Sequence, residues 1–159
     1  MIIRNAKKAD KDVLVALLLD SFRDVGEKFA LTVDNCPNFA GFNAKERVEA
    51  DFEKGLRYYI LEENGDVCSC VALEKAGSDV CYLGRLAVLP EHRNKGFGQA
   101  LVNHLFEQAR KMGIRRVEIG LISKHRKLKK WYKKFGFVQK STKKFDHLPF
   151  IVAFMYKEL

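Results

Sequence analysis

The spacing of apolar residues changes several times along the first third of the chain, and each change predicts an element. The opening "MIIRNA" predicts a short strand, and "ADKDVLVALLLDSF" places apolar residues at helical spacing behind Asp10, a good N-cap. Residues 23–42 keep no sustained period and contain Pro37, which predicts a loop or a partly helical flap. Asn43 and Glu46 then form a capping-box pattern, which predicts a second helix over "RVEADFEKGL".

The next part of the chain has the pattern of an antiparallel meander. Two apolar runs, "RYYILEE" and "DVCSCVALEK", flank Asn64-Gly65, a pair that supplies the positive φ of a tight hairpin turn. After a second turn at "GSD", the run "VCYLGRLAVL" predicts a third strand. Cys68 and Cys70 are two residues apart in an apolar run, so we expect them on one face of their strand.

Helical and strand patterns alternate in the second half. An apolar stripe follows Gly98 and stops near Gly113, and "RRVEIGLI" then predicts a strand that joins its predecessor through a right-handed βαβ crossover. "HRKLKKWYKKF" predicts another helix, which Gly136 ends, and "FVQKSTKKF" and "FIVAFMYKEL" predict the terminal strands. We therefore expect a mixed α/β (α+β) sheet in one domain over residues 1–159, because 159 residues suffice for one core.

Composition limits the class of protein. No window approaches the roughly 18 apolar residues of a membrane span, and no signal organisation is present, so we expect a cytoplasmic protein with no membrane association. The four cysteines lack CxxC spacing, which favours buried free thiols over a metal site or disulfides. A net charge of +9 favours an anionic partner, such as nucleic acid, an anionic membrane surface or a phosphorylated small molecule, and does not choose among them. Much of it lies in "SKHRKLKKWYKKFGF", which a solvated helix face also explains.

The segment "LPEHRNKGFGQAL" carries the candidate chemistry. A strand that stops at Leu89 and a helix that starts near Gly98 leave the first helical amides unpaired, and such amides attract anions. Gly96 and Gly98 lack a Cβ, so a phosphate oxygen can approach the main chain, while Arg93 and Lys95 add charge. The loop predicts a pyrophosphate site that is neither a Rossmann fingerprint nor a P-loop, although a plain strand-to-helix turn also uses glycine.

Two motifs together resemble a known family. "RNKGFG" matches the R/Q-x-x-G-x-G/A motif of the GNAT N-acetyltransferase superfamily, and "WYKKFGF" resembles the aromatic-Tyr-x-K-x-G-F segment that follows it there. The resemblance covers nearly the whole chain, with the elements in the same order. It implies a GNAT-like fold with a central sheet of about six to seven strands and about four helices, splayed at the cofactor site.

The resemblance also implies acetyl-CoA as co-substrate, a small-molecule or peptide amine as acceptor, and no metal. Main-chain groups of Ala87 and Val88 would contact the pantetheine arm and polarise the thioester carbonyl. The pyrophosphate would be held by main-chain amides of the loop, those of Arg93, Asn94, Lys95, Gly96, Phe97 and Gly98. Family members often dimerise through terminal strands, so a homodimer is expected as an option.

Tyr132 matches the general acid of the family. Its reference pKa of about 10 lies close to that of an alkyl thiol, which suits proton transfer to the departing thiolate. Its place beside Leu128 and Phe135 on the apolar face is also typical of a core aromatic. His125 stands where the family often has asparagine, and it is expected either to donate to the pantetheine, to act as the base, or to lie on the surface.

The general base and the acceptor leave alternatives open. Glu118, Glu91, Asp34 and His147 are candidate bases, and each is also explained as a solvated or turn residue. The loops "TVDNCPNF" and "FDHLPF" occupy the positions where the family builds its acceptor pocket. Two other functions compete with an acyl-CoA-dependent N-acyltransferase: a non-catalytic acyl-CoA-binding regulator, and a basic nucleic-acid-binding module, which lacks stacking or zinc-finger signatures.

Overall fold

The computed structural model describes residues 1–159, and its core is one seven-stranded sheet with helices on both faces. The strands are β1 (Ile2–Asn5), β2 (Arg57–Glu63), β3 (Asp66–Lys75), β4 (Val80–Val88), β5 (Arg116–Ile122), β6 (Val138–Lys144) and β7 (Ile151–Glu158). The helices are α1 (Lys11–Lys28), α2 (Ala44–Glu53), α3 (Phe97–Lys111) and α4 (Arg126–Lys133), with short 3₁₀ turns at Lys8–Asp10 and Pro90–His92. This architecture confirms the predicted mixed α/β fold.

The strand order is β1-β2-β3-β4-β5-β7-β6, and every neighbouring pair is antiparallel except β4 and β5. The parallel pair follows from the crossover through α3, as the sequence predicted. β4 and β5 pair only where Val80–Tyr82 lie opposite Arg116–Glu118. Beyond that point the two strands have no common hydrogen bonds, so the sheet opens into a gap at the carboxyl end of β4.

Two hydrophobic clusters lie on the opposite faces of the sheet. One, beneath α1 and α2, includes Leu14, Leu18 and Val48, all fully buried. The other, beneath α3 and α4, includes Leu101 and Leu105, also fully buried. Burial of each such side chain stabilises the fold by about 1.5–3 kcal/mol. The gap between β4 and β5 is thus bordered by a helical layer on either side.

The prediction that Cys68 and Cys70 lie on one face of their strand is wrong. Cys68 belongs to the cluster beneath α3, whereas Cys70 belongs to the cluster beneath α1 and α2. The cause is an irregular register in β3, where Leu61 pairs with Ser69 but Glu62 pairs with Val67, so Cys68 is an extra residue. All four cysteines are buried free thiols, as expected.

Neither predicted N-cap side chain binds its helix. The Asp10 carboxylate instead accepts the Lys7 amide at 2.7 Å and both terminal nitrogens of Arg4 at 2.9 Å, because a 3₁₀ turn precedes α1. The Asn43 amide nitrogen donates to the Asn38 side chain at 3.4 Å and no capping box forms. Both helices nevertheless begin directly after these residues, so the predicted starts hold without the predicted bonds.

Candidate functional site

The segment that joins β4 to α3 presents a row of unpartnered amides. The main-chain N–H groups of residues 94–99 donate to no acceptor in the protein. Asn94 and Gly96 have φ of +62° and +80°, and Gly96 is the N-cap of α3. These left-handed residues turn successive amides outward at the positive end of a helix, which is the arrangement that binds phosphate groups.

The two glycines of this loop have different structural reasons. A Cβ on Gly96 would meet no atom within 4 Å, so its positive φ is what favours glycine. A Cβ on Gly98 would lie 3.3 Å from a ring carbon of Trp131 and 3.7 Å from Cγ2 of Val88. Gly98 therefore lets the first turn of α3 approach α4 and the end of β4 closely.

Arg93 points its side chain into the protein. Its Nε donates to the Val88 carbonyl at 3.1 Å, and Nη2 donates to the Ser21 carbonyl at 2.8 Å. Nη1 forms an ion pair with Asp24 at 2.5 Å, which lowers the pKa of that carboxyl. The Arg93 amide donates to Pro90 at 3.3 Å and is not among the unpartnered amides. All three guanidinium nitrogens of Arg93, which was expected to add charge at the loop, thus contact α1 or the end of β4.

Val88 faces the gap with its main chain. The amide of Leu89 donates to the carbonyl of Cys68 at 3.0 Å, so the polar groups of Val88, one residue earlier, point away from β3. That direction leads to the side of β4 where β5 has separated. Ala87 is buried between β4 and the helices α1 and α2. Ala87 and Val88, which are expected to contact the pantetheine, therefore lie beside the gap, and the N–H group of Val88 points into it.

Tyr132 is 6% exposed and packs edge-to-face against Phe137 and Trp131, with ring centroids 5.5 Å and 5.1 Å away. Its hydroxyl makes no hydrogen bond with any protein group. Burial raises the pKa of Tyr132 above its ordinary value. The pKa of the tyrosine in the folded protein is therefore not close to that of an alkyl thiol, contrary to what its reference value predicted. The hydroxyl stays protonated through the neutral pH range and is a constant donor.

His125 is the N-cap of α4. Its Nδ1 accepts the Leu128 amide at 3.4 Å, and its ring centroid lies 5.3 Å from that of Phe29 at the end of α1. Burial, reinforced by the charge of Lys28, lowers the pKa of His125. An accepting Nδ1 requires the neutral ring with its proton on Nε2, so Nε2–H is the group left to donate. The half-buried side chain of His125 thus has a structural role at the start of α4 and does not lie free on the surface.

A cleft of about 600 Å³ lies at the point where β4 and β5 separate. Its charged lining residues are Glu74, Arg85, Glu118 and Lys140. Glu118 accepts a hydrogen bond from Lys140 at 3.0 Å, whereas Glu74 has no ion partner. Of the four candidate bases, only Glu118 lines this cleft. Glu91, Asp34 and His147 lie elsewhere.

A buried polar network adjoins the cleft and was not found from the sequence. β4 has an extra residue between its pairings Gly84–Ala72 and Ala87–Cys70, and Arg85 there has φ of +53°. The Arg85 guanidinium donates to both oxygens of Asp51, at 2.9 and 3.1 Å, and the Tyr58 hydroxyl donates to the same carboxylate at 2.5 Å. Asp51 is 2% exposed. A charged residue on the inward side of α2 is the only sequence signal for this network.

Comparisons with known proteins agree with this geometry. YjgM, an uncharacterized N-acetyltransferase of Escherichia coli K12, is 32% identical over 97 residues, which are 59% of this chain and 58% of that protein. MJ1207, an uncharacterized N-acetyltransferase of Methanocaldococcus jannaschii, is 27% identical over 148 residues, which are 89% of this chain and 62% of that protein. This chain therefore spans less than two thirds of the length of either relative.

Solved structures share the fold over almost all of the chain. A ribosomal-protein-alanine N-acetyltransferase from Brucella melitensis aligns with a TM-score of 0.72 at 19% identity over 100% of both chains. An aminoglycoside 6'-N-acetyltransferase complexed with coenzyme A aligns with a TM-score of 0.73 at 18% identity, over 99% of this chain and 97% of that one. At such identities the likeness concerns the fold.

No helix of the protein combines the length and the apolar character needed to cross a bilayer. Residues 32–137, more than half of the chain, match the family model described as Acetyltransferase (GNAT) family. They include the β4–α3 loop with its unpartnered amides, the gap beside β4 and the tyrosine of α4. The chain belongs to the GNAT acetyltransferase family.

Proposed function

We propose that the protein is an acetyl-CoA-dependent N-acetyltransferase that moves the acetyl group of acetyl-CoA to a primary amine by direct attack. The observation that carries this proposal is the row of unpartnered amides at residues 94–99 beside the gap between β4 and β5. A donor with a diphosphate and a long, thin arm matches both features. The coenzyme A complex of the aminoglycoside 6'-N-acetyltransferase of the same fold supports this donor.

The residues present fit acetyl-CoA, which supplies an activated acetyl group as a thioester. The amides of residues 94–98 would hold the pyrophosphate, and the exposed Lys95 would add positive charge. The arm would pass along Ala87 and Val88 in the gap. The outward amide of Val88 would stabilise the oxyanion that forms during transfer. The Nε2–H of His125 is a further donor at the start of α4.

Tyr132 is proposed as the general acid. Its hydroxyl has no protein partner and stays protonated, so it is available to donate to the departing thiolate. Burial weakens it as an acid, since its raised pKa lies above that of a thiol. We therefore expect proton donation to occur as negative charge builds on sulfur, and not before.

The attacking amine must be neutral, so a carboxylate near the cleft is proposed to remove its proton. Glu74 and Glu118 both line the cleft. Glu74 is the better candidate because Lys140 already neutralises Glu118. Kinetics of Glu74→Gln and Glu118→Gln separate the two: the variant that lacks the base loses kcat and shifts its dependence on pH, while the other keeps the parental profile.

The central test is binding of coenzyme A followed by turnover. Saturating coenzyme A should raise the melting temperature and shift the amide NMR signals of residues 94–99, while the signals of β1 at the far edge of the sheet stay unchanged. Thiol release from acetyl-CoA should then appear when a panel of primary amines is added. Undisturbed signals at residues 94–99 would overturn the proposal. Binding without turnover on any amine would favour a non-catalytic acyl-CoA binder.

A further inference from the structure

Along β4, the residues whose main-chain polar groups face β3 change from even-numbered to odd-numbered positions. At the start of the strand, the carbonyl of Val80 accepts the amide of Ala76, which directly follows β3, at 2.9 Å. At its end, the amide of Leu89 donates to the carbonyl of Cys68 at 3.0 Å. Polar groups alternate in direction from one residue of a strand to the next, so Val88 faces the gap only because this change occurs before it.

One extra residue in β4 causes the change. Between the pairs Gly84–Ala72 and Ala87–Cys70, β4 contains two residues and β3 contains only one. Without the extra residue, the even-numbered pattern would continue to the end of the strand. The amide of Val88 would then donate to β3 and would not point into the gap.

The backbone at this irregularity has an unfavourable conformation for its residue type. Arg85 has φ of +53°, a left-handed value that costs free energy for any residue with a Cβ and that glycine adopts freely. Gly84 is the preceding residue, yet its φ is not positive. The place of the left-handed residue therefore does not follow from the local preferences of these two positions.

The side chain of Arg85 provides a long-range contact at this place. Its Nη2 and Nε donate to the two oxygens of Asp51 at 2.9 and 3.1 Å, and the Tyr58 hydroxyl donates to the same carboxylate. The two parallel bonds fix the orientation of the guanidinium, and the loss of one partner from a buried pair is strongly unfavourable. Asp51 is 2% exposed and lies on α2, so it ties the irregular position of β4 to that helix.

We propose that Asp51 and Arg85 are positioning residues for acetyl transfer: their ion pair fixes the extra residue of β4 and thereby turns the amide of Val88 into the gap. The inference rests on the proposed function, which assigns stabilisation of the oxyanion to that amide. Arg85 acts through the main chain of β4, and Asp51 acts through Arg85.

Amide hydrogen exchange of the ligand-free protein tests the inference, because it shows which amides of β4 are hydrogen-bonded. In the parent, the Leu89 amide should exchange slowly and the Val88 amide rapidly. In Asp51→Asn, protection should fall at Leu89 and rise at Val88. A general loss of stability protects no amide better, so slower exchange at Val88 is a specific signature. The kcat for thiol release should fall by about tenfold or more in the same variant, because an oxyanion donor is lost.

Two double variants give a matched comparison and remove the guanidinium that Asp51→Asn alone leaves unpaired. Arg85→Gly in the Asp51→Asn background allows a positive φ without cost, so rapid exchange at Val88 and much of the kcat should return. Arg85→Ala in the same background has the same charge but retains a Cβ, so Val88 should stay protected. Glu49→Gln, in an exposed pair of the same helix with Lys11, is the control and should behave as the parent. An exchange pattern in Asp51→Asn equal to that of the parent, or equal patterns in the two double variants, overturns the inference.

The two proposals fail in different ways. If the parent releases no thiol with any amine, the proposed function fails, and hydrogen exchange still decides whether Asp51 fixes the direction of the Val88 amide. If the parent acetylates amines and exchange at Val88 does not respond to Asp51→Asn, the proposed function stands and only the positioning role is refuted.

Discussion

The Nε of Arg93 lies 3.1 Å from the carbonyl oxygen of Val88. A side chain of the β4–α3 loop is therefore hydrogen-bonded to the end of the strand that precedes the loop. The same guanidinium reaches across to Ser21 and Asp24 of α1. The end of β4, the amide row and α1 are therefore held in one arrangement before any ligand arrives. Preorganised donors bind an anion without first paying for ordering of the loop.

Replacement of Arg93 by alanine should raise the KM for acetyl-CoA by about tenfold or more, because bonds to two main-chain carbonyls are lost together. Asp24→Asn removes only the half-exposed ion pair and should change KM by less than about fivefold. Steady-state kinetics on both variants checks this. Equal losses in the two variants would contradict this role of Arg93, because its hydrogen bonds to the carbonyls of Val88 and Ser21 would then contribute nothing.

The sequence predicted the elements around the site because their signals are local. The apolar stripe of α3 and the glycines that flank it placed the start of the helix within one or two residues of Phe97, where it begins. The direction of the Arg93 side chain was not predictable in this way. It depends on Asp24, which is 69 residues away along the chain, and on how α1 packs against the end of β4.

A second kind of failure concerns the ladder of the sheet. Alternation along "VCSCVAL" predicts Cys68 and Cys70 on one face, but an extra residue in β3 reverses the side chains beyond it. No pattern in the sequence predicts the extra residue of β4 at Arg85 either. Both irregularities are set by pairing between strands, and a single-strand pattern contains no information on pairing.

Tyr132→Phe should lower kcat with little change in the KM for acetyl-CoA, since the hydroxyl makes no hydrogen bond to a protein group that its removal would break. A general acid typically contributes about 10²-fold or more to the rate. The free energy of unfolding should change by less than about 0.5 kcal/mol, because the packed ring remains. Turnover equal to that of the parent would assign Tyr132 to the core alone.

Asp51→Asn should destabilise the fold by about 3 kcal/mol, because it leaves the guanidinium of Arg85 partly buried without its carboxylate. Tyr58→Phe removes one hydrogen bond to the same group and should cost about 1–2 kcal/mol. The exposed pair of Asp20 and Arg23 is the control, and Asp20→Asn should have almost no effect. Denaturant unfolding measures all three, and equal losses for Asp20 and Asp51 would contradict the role of burial.

The stability of the fold should also fall as the pH drops below about 6.5, the ordinary pKa of histidine. Burial lowers the pKa of both His125 and His104 in the folded protein, so the unfolded chain binds protons more readily over this range. By linkage, the contribution of each histidine is complete above its unfolded pKa and is lost as the pH falls through its folded pKa. For His125, protonation of Nδ1 also ends its acceptance of the Leu128 amide.

The variant His125→Asn isolates the contribution of His125 to the dependence of stability on pH. Asparagine is a good N-cap that does not titrate, so the variant should match the parent at pH 8 and lose less stability between pH 7 and pH 5. Urea unfolding across that range gives the comparison, with His104→Gln as a second variant that removes the other half-buried histidine ring. Because Lys28 helps to lower the pKa of His125, Lys28→Gln should reduce the dependence on pH in the same direction. An identical pH profile in the parent and in His125→Asn would show that the cap at the start of α4 contributes nothing to acid sensitivity.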